Sequence, residues 1–545
     1  MGIYLNPGIN LFLEALNGKI YVDKTAMVAE TNVLVNTPNK HICVSRPRRF
    51  GKSMAAAMLC AYYGVAEGSR ELFETRLLGK CKDWDQYLGK FDVIRLVMTN
   101  FVDRTTPMEK IIAKISMRIL DELHEAYPDV RYDEDDFVYS LAKFHHASGR
   151  QFVVVIDEWD VIFRTHKSDH DAQRDYLNFL RSWLKDQDYI ALSYMTGILP
   201  VKKYGEHSAL NMYTEYSMLS PLQFAPYTGF TEEEVQDLCN KHGMPFASIK
   251  NWYDGYIVYS QGTVTELDRS VFSSIQPPAT QYHLYAPLSV VNAISTGQIK
   301  NYWNATETYE ALAEYIRMDF DGLKETVARL MEGEHLTVKL GTYQNDMTSL
   351  ACRDDVLALL IHLGYLGYDQ ANGEVFIPNR EIHDVFETST SSSEWASTMR
   401  ALKNSQKLLE AVWSGDEETV ATLLEAAHDQ TGNRTYNSEA ALSYAIQLAF
   451  YKAQDDYTLF PEVDTGRGYA DLIYIPKRPV HPALLVELKY RQDADTALDQ
   501  IIRQKYPSRL EHYKGNLILV GISYDRSADP HAPNYKHHSC KMLRA

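Results

Sequence analysis

Cysteine is scarce in this 545-residue chain: the six, Cys43, Cys60, Cys81, Cys239, Cys352 and Cys540, lie far apart, with no CxxC pair and no histidines at zinc spacing. That pattern argues against a disulfide framework or a zinc finger and fits free thiols in a reducing compartment. Long apolar runs are missing too. None reaches the ~18–20 residues that a membrane span requires, so no membrane partner is expected. The first residues show no basic stretch followed by an apolar one, and a cytoplasmic protein is expected. Positive charge is in deficit. A net charge of -17 argues against indiscriminate binding along nucleic acid but leaves room for a local basic groove. From about Arg400 onward Lys and Arg nearly balance Asp and Glu, so the C-terminal part is the better place for a polyanion. Length implies two to four compact units of ~100–200 residues each.

What is present begins with a phosphate-binding pattern. His41–Ser45 is a short apolar stretch that runs through Arg46, Pro47, Arg48, Arg49, Phe50, Gly51, Lys52 and Ser53 into the Ala-, Met- and Leu-rich run Met54–Tyr63. A strand, turn and helix in this order surround phosphates with backbone N–H groups and a helix N-terminus, while Lys neutralises charge and Ser ligates Mg²⁺. Arg46 stands where the first Gly of GxxxxGK[ST] is usual. Arg46, Arg48 and Arg49 are open to two readings, as partners for phosphate or interface acids and as a solvated loop.

About a hundred residues on, Phe152–Asp160 reads Phe-Val-Val-Val-Ile-Asp-Glu-Trp-Asp, a buried-strand pattern ending in carboxylates. At the carboxyl end of a parallel strand Asp157 is placed to hold a Mg²⁺ shell and Glu158 to orient or deprotonate the attacking water. Gly-Lys-Ser alone also arises in surface turns, and strand-end acids also cap helices; the two elements together, in this order, weigh toward ATP chemistry. Tyr189–Met195 predicts another strand, ending at Thr196, a candidate γ-phosphate sensor or a plain turn residue, and Phe91–Phe101 predicts a further strand of the same sheet.

These residues, with Tyr21-Val22-Asp23-Lys24-Thr25 before them, resemble the AAA-ATPase-like family of bacterial proteins. That family's loop also lacks the first Gly, so the resemblance accounts for Arg46. It extends through Tyr227–Val235 and Trp252–Tyr256, departing at Trp159, where Tyr is common, and at Ala286-Pro287-Leu288-Ser289, where Asn-Pro-x-Ser is usual. The resemblance implies ATP and Mg²⁺ (or Mn²⁺) as cofactors, a C-terminal PD-(D/E)XK nuclease-like domain, and leaves a homo-oligomer open.

The expected architecture is α/β: a P-loop NTPase parallel sheet over residues 1–225, a helical lid over 226–310 opening at a Thr228 or Thr231 cap, and a winged-helix-like region over 311–393. The last rests on an amphipathic helix over Asp355–Tyr368 and a hairpin at Asn372-Gly373. Glu387–Ser393, ETSTSSS, reads as a linker.

An α/β PD-(D/E)XK nuclease-like domain is expected over residues 394–545. Ala396–His428 and Asn437–Tyr451 read as helices, and Tyr457–Val463, Tyr469–Ile475 and Ala483–Lys489 as strands. Alternation places Glu487 and Lys489 on one face, and Asp471 sits on the neighbouring strand. Two carboxylates suit Mg²⁺ or Mn²⁺ and an ammonium offsets developing charge, although Glu-x-Lys also arises as a surface ion pair. The order helix, strand, strand, strand, helix resembles the nuclease fold. By that resemblance Asp471, Glu487 and Lys489 are catalytic, with Asp471 and Glu487 as metal ligands, and Glu439, Glu462 and Gln500 are accessory. Nucleic acid is the implied partner, DNA ahead of RNA; the alternative is a nucleotide-controlled switch or assembly scaffold whose C-terminal domain only binds.

Overall fold

In a computed structural model of the protein, the structure describes residues 2–201, 210–260, 280–303, 309–318, 320, 322–340, 350–390, 393–430, 446, 449–450, 453–464, 469–490, 492–503, 508–513, 515–525 and 537–545. Two compact units emerge, Met1–Ser389 and Thr390–Ala545.

The first unit is built on five parallel strands: β1 (His41–Ser45), β2 (Asp92–Val97), β3 (Phe152–Asp157), β4 (Ile190–Gly197) and β5 (Thr214–Tyr216), in spatial order β2-β3-β4-β1-β5. β1, β3 and β4 are buried along their whole length, as strands covered on both faces must be, and their unbroken apolar character follows from that. The helix Met108–Ala126 places Ile111, Ile115, Ile119 and Leu123 on one buried stripe. The strand expected over Phe91–Phe101 stops at Val97, because Met98–Asn100 winds into a 3₁₀ turn.

The region expected to be a helical lid is mixed instead. It holds helices Glu232–His242, Phe246–Tyr253 and Pro287–Thr296, but also an antiparallel sheet of β6 (Phe230–Thr231), β7 (Tyr256–Ser260) and β8 (Thr280–Tyr285) in the order β6-β8-β7. Burial in Tyr-Ile-Val-Tyr-Ser alternates with period two, the mark of a strand, so its aromatics belong to a sheet and not to a helix. Of the two candidate caps Thr231 is the one used: its hydroxyl accepts from Glu234 N and the Glu234 carboxylate accepts from Thr231 N.

Further on lie helices Tyr309–Ile316, Leu323–Met331, Arg353–Leu363 and Arg380–Ser389, and strands β9 (Leu336–Thr337), β10 (Gly367–Asp369) and β11 (Glu374–Phe376), ordered β10-β11-β9. The helix expected over Asp355–Tyr368 ends at Leu363, where Gly364 turns left-handed at φ +88°. Regions expected as separate domains close into one unit because their backbones meet. A Cβ at Gly255 would lie 1.7 Å from the Pro378 carbonyl oxygen, and Tyr256 donates to the Gly364 carbonyl. The run expected as a linker from Glu387 is helical through Ser389, since Val385, Phe386 and Ser389 are buried.

The second unit carries a five-stranded sheet, β12 (Tyr457–Asp464), β13 (Tyr469–Pro476), β14 (Ala483–Tyr490), β15 (Leu517–Tyr524) and β16 (His538–Arg544), in sequence order. β14 and β15 are parallel and the other neighbours antiparallel; the helix Ala494–Arg503 packs on both. Helix and strand side chains from Leu408 to Tyr524 form a core on one face, and Ile473, Leu485, Ile501 and Leu519 one on the other. The stretch expected to be helical over Ala396–His428 holds two helices, Ser393–Ser414 and Glu417–Gln430. Gly415 takes φ +80° between them and Asp416 caps the second through Thr419. Glu425 ties that second helix to β16 by accepting from His537 and His538. The helix expected at Asn437–Tyr451 lies outside the described residues, save isolated positions.

Candidate nucleotide site and C-terminal carboxylate cluster

The loop between β1 and the helix Lys52–Tyr63 is fastened at both ends. Arg46 N donates to the Gly197 carbonyl at the end of β4, and the Phe50 carbonyl accepts from Gly229 N. Gly51 at φ +86° and Arg49 at φ +69° are both left-handed, and alternation of hand along such a loop turns successive N–H groups to a common side. Phe50 is buried and meets Tyr256 edge-on at 5.3 Å. Pro47 abuts Gly364, whose Cβ would come 2.7 Å from the Pro47 ring.

A cavity of about 720 Å³ opens over this loop, within the range of ligand pockets. Arg48, Arg49, Phe50, Gly51, Lys52 and Ser53 line it, together with Glu158, Asp160 and Arg164. Phe12, Ile20, Tyr21, Tyr227, Phe230 and Leu288 supply an apolar end suited to a flat base. The Lys52 ammonium donates to the Arg46 and Pro47 carbonyls at 2.9 and 2.7 Å. Burial pushes its pKa down to about 8, against Asp160, Asp157 and Glu158, which favour the charge.

Asp157 is buried behind Ser53. Burial raises its pKa, while the Ser53 hydroxyl and the Lys52 charge pull the other way. A hydroxyl and a carboxylate so joined are the hard oxygen pair that Mg²⁺ takes at such a loop. Glu158 sits at φ +53°, a left-handed backbone that is uncommon away from Gly and clusters at functional sites.

Two expected ligands are turned elsewhere. The Arg46 side chain is fully buried and donates from Nη1 to the Ser45 and Tyr216 carbonyls, so its guanidinium braces β1 against β5 and does not line the cavity. Thr196, expected as a γ-phosphate sensor, is buried with its hydroxyl donating to the Val44 carbonyl of β1, because a hydroxyl covered by packing on both faces of the sheet takes the nearest backbone acceptor. Sequence reasoning overlooked Arg164, whose one local signal is the i,i+4 spacing from Asp160, and the apolar end, whose residues come from segments far apart in the chain.

Residues 8–205 match the AAA-ATPase_like family model, Predicted AAA-ATPase. With the parallel sheet and loop above, this match supports an AAA-ATPase-like P-loop domain in the N-terminal part. No curated protein matches the chain. Among solved structures it is similar to Cdc6p from Pyrobaculum aerophilum, at 13% identity over 70% of this chain and 97% of that one, with a TM-score of 0.27. The ORC2 protein of Aeropyrum pernix, solved as ADPNP–ADP complexes, gives 9%, 70%, 98% and 0.28. The ORC1 protein of the same organism, in complex with DNA, gives 10%, 71%, 98% and 0.24. TM-scores at this level do not establish a common fold. No helix among the described residues is long and apolar enough to cross a membrane.

Outside the AAA-ATPase-like domain, the second unit gathers Glu487, Lys489 and Gln500. Glu487 is buried, and its Oε1 accepts from Lys489 Nζ at 3.2 Å and from Gln500 Nε2 on the helix Ala494–Arg503. The register pairs Leu472 with Val486, which brings position 471 level with Glu487. Asp471 and Glu462 are strand residues whose side chains lie outside the described residues, as does the whole of Glu439. Among the described residues the groups spaced to hold a metal ion are Glu232, Asp254, His283 and His383, Asp384, Glu387; neither includes Glu487.

Proposed function

We propose that the chain is a cytoplasmic ATPase whose nucleotide cycle governs a metal-dependent phosphodiesterase site in residues 394–545 that acts on DNA or RNA. The observation that carries the first half is that Lys52, Ser53 and Glu158 line one cavity, with Asp157 buried and bonded to Ser53. Loop N–H groups and Lys52 hold the phosphates, Ser53 and Asp157 hold Mg²⁺, and Glu158 orients the attacking water. Mg²⁺ supplies charge neutralisation at the β- and γ-phosphates when bound. The second half rests on Glu487 and Lys489 sharing one face beside position 471, the donor set of a PD-(D/E)XK nuclease: two carboxylates for Mg²⁺ or Mn²⁺ and an ammonium for the phosphoryl oxygens.

A second reading, a nucleotide-controlled switch or assembly scaffold, is favoured by the engagement of Glu487 Oε1 by both Lys489 and Gln500. Cleavage assays on single-stranded and duplex DNA and RNA, with and without ATP, separate the two. Under the first, Asp471→Ala abolishes cleavage and Lys52→Ala removes its dependence on ATP; under the second, no variant cleaves while ATP is still hydrolysed. For the ATPase itself, Lys52→Ala weakens nucleotide binding and Glu158→Gln spares binding but slows turnover by ~10²-fold or more. Equal loss of binding in both variants contradicts the assigned roles.

A further inference from the structure

Arg164 ends a five-residue helix, Val161–Thr165, directly after the carboxylate cluster, and its side chain lines the cavity. Its two arms are held differently. Nε lies 3.5 Å from Asp160 Oδ2, and Asp160 is fully buried, with Oδ2 already accepting from Ile198 N and Leu199 N in the turn after β4. Nη2 lies 3.3 Å from Glu158 Oε2, and the Glu158 side chain is 39% exposed. The Asp160 carboxylate is therefore fixed by the fold, and Arg164 Nε meets it as an ion pair. The pair with Glu158 is partly solvated, of a kind that holds weakly.

We infer that Arg164 is a positioning residue that reports the terminal phosphate of the nucleotide by exchanging partners. This rests on the reading of the cavity as an ATP site. A planar guanidinium binds phosphate through two parallel N–H donors, and the phosphate carries more charge than Glu158. A γ-phosphate against Ser53 and Lys52 displaces Glu158 from Nη2 while Asp160 keeps the arm in place. The released carboxylate then turns to the attacking water. ADP offers no γ-phosphate, so Glu158 stays tied to Arg164 and the water is not oriented. The exchange makes the general base available only when there is a bond to cleave.

The test compares affinities for ADP and for a non-hydrolysable ATP analogue, with Mg²⁺, by calorimetry on the full chain, together with kcat and KM for ATP. Arg164→Ala is expected to lower affinity for the analogue on the order of tenfold, leave ADP within about twofold, and reduce kcat. Glu158→Gln weakens the competing tie and is expected to raise affinity for the analogue over ADP by a few fold. Arg164→Lys keeps the charge without the fork and covers an alanine variant that does not fold; it is expected to lower the analogue-to-ADP affinity ratio as well. Equal losses for ADP and analogue in both Arg164 variants overturn the inference and make Arg164 a structural brace. An unchanged ratio in all three variants overturns it too. A wild type that binds neither nucleotide instead removes the ATPase reading itself.

Discussion

At the scale of single residues, Lys52 shows how burial tunes a lysine that we propose holds phosphate. Its ammonium is satisfied by two loop carbonyls, and burial holds its pKa down to about 8 although Asp160, Asp157 and Glu158 favour the charged form. Phosphate binding requires that charge, so the bound state raises the pKa and nucleotide binding takes up a proton once the pH exceeds about 8. Affinity for the ATP analogue is therefore expected to be flat between pH 7 and 8 and to fall above it, approaching ~tenfold per pH unit. Lys52→Arg, which stays charged throughout, flattens the profile; calorimetry in buffers of different ionisation enthalpy reads the proton uptake directly. A wild-type profile flat to pH 9.5 contradicts the assignment. Lys52 and Ser53, proposed from the sequence because the pattern sits in consecutive residues, both line the cavity. The misreading of Arg46 has the opposite origin: nothing local says whether an arginine at a strand end faces the loop's cavity or the neighbouring strand.

At the scale of elements, the phosphate loop is shaped by segments well beyond the matched family region. Phe50 rests on Tyr256 and against Gly229, and Pro47 on Gly364 at the end of the helix Arg353–Leu363. Gly364 has φ +88°, and its Cβ would press to 2.7 Å from the Pro47 Cβ, which has no flexible end to yield. Gly364→Ala is thus expected to cost ~1–3 kcal/mol in stability and to weaken nucleotide binding beyond what that loss explains, because the loop itself is displaced. Thermal unfolding read beside analogue affinity checks this; loss of stability with unaltered affinity shows that the contact does not shape the loop. Element types were readable wherever the period was strong, as in β1, β3 and β14. The lid was misjudged because β7 has five residues, too few for a period of two to stand out among aromatics, and its partner β8 lies past residue 279.

At the scale of the whole molecule, each unit has its own core, that of the first around β1, β3 and β4 and that of the second around β13, β14 and β15. A ligand that binds one folded unit stabilises that unit by mass action, ~2.7 kcal/mol at a hundredfold excess over Kd. Hydrogen exchange with the ATP analogue is accordingly expected to slow at β1, β3 and the helix Lys52–Tyr63. Strong added protection at β14 and β15 as well is the signature of nucleotide coupling between the units, which the proposed regulation requires; its absence favours independent activities. The sequence by itself determined the phosphate loop, the strand that ends in Asp157 and Glu158, and the alternation that sets Glu487 beside Lys489. Those patterns are carried by neighbours in the chain. Only the tertiary structure decided that Arg46 and Thr196 donate to backbone carbonyls of neighbouring strands and that Arg164 bridges Glu158 and Asp160. It also decided that residues from Phe12 to Leu288 close one cavity, because such placements depend on which distant segments pack together and no local period encodes them.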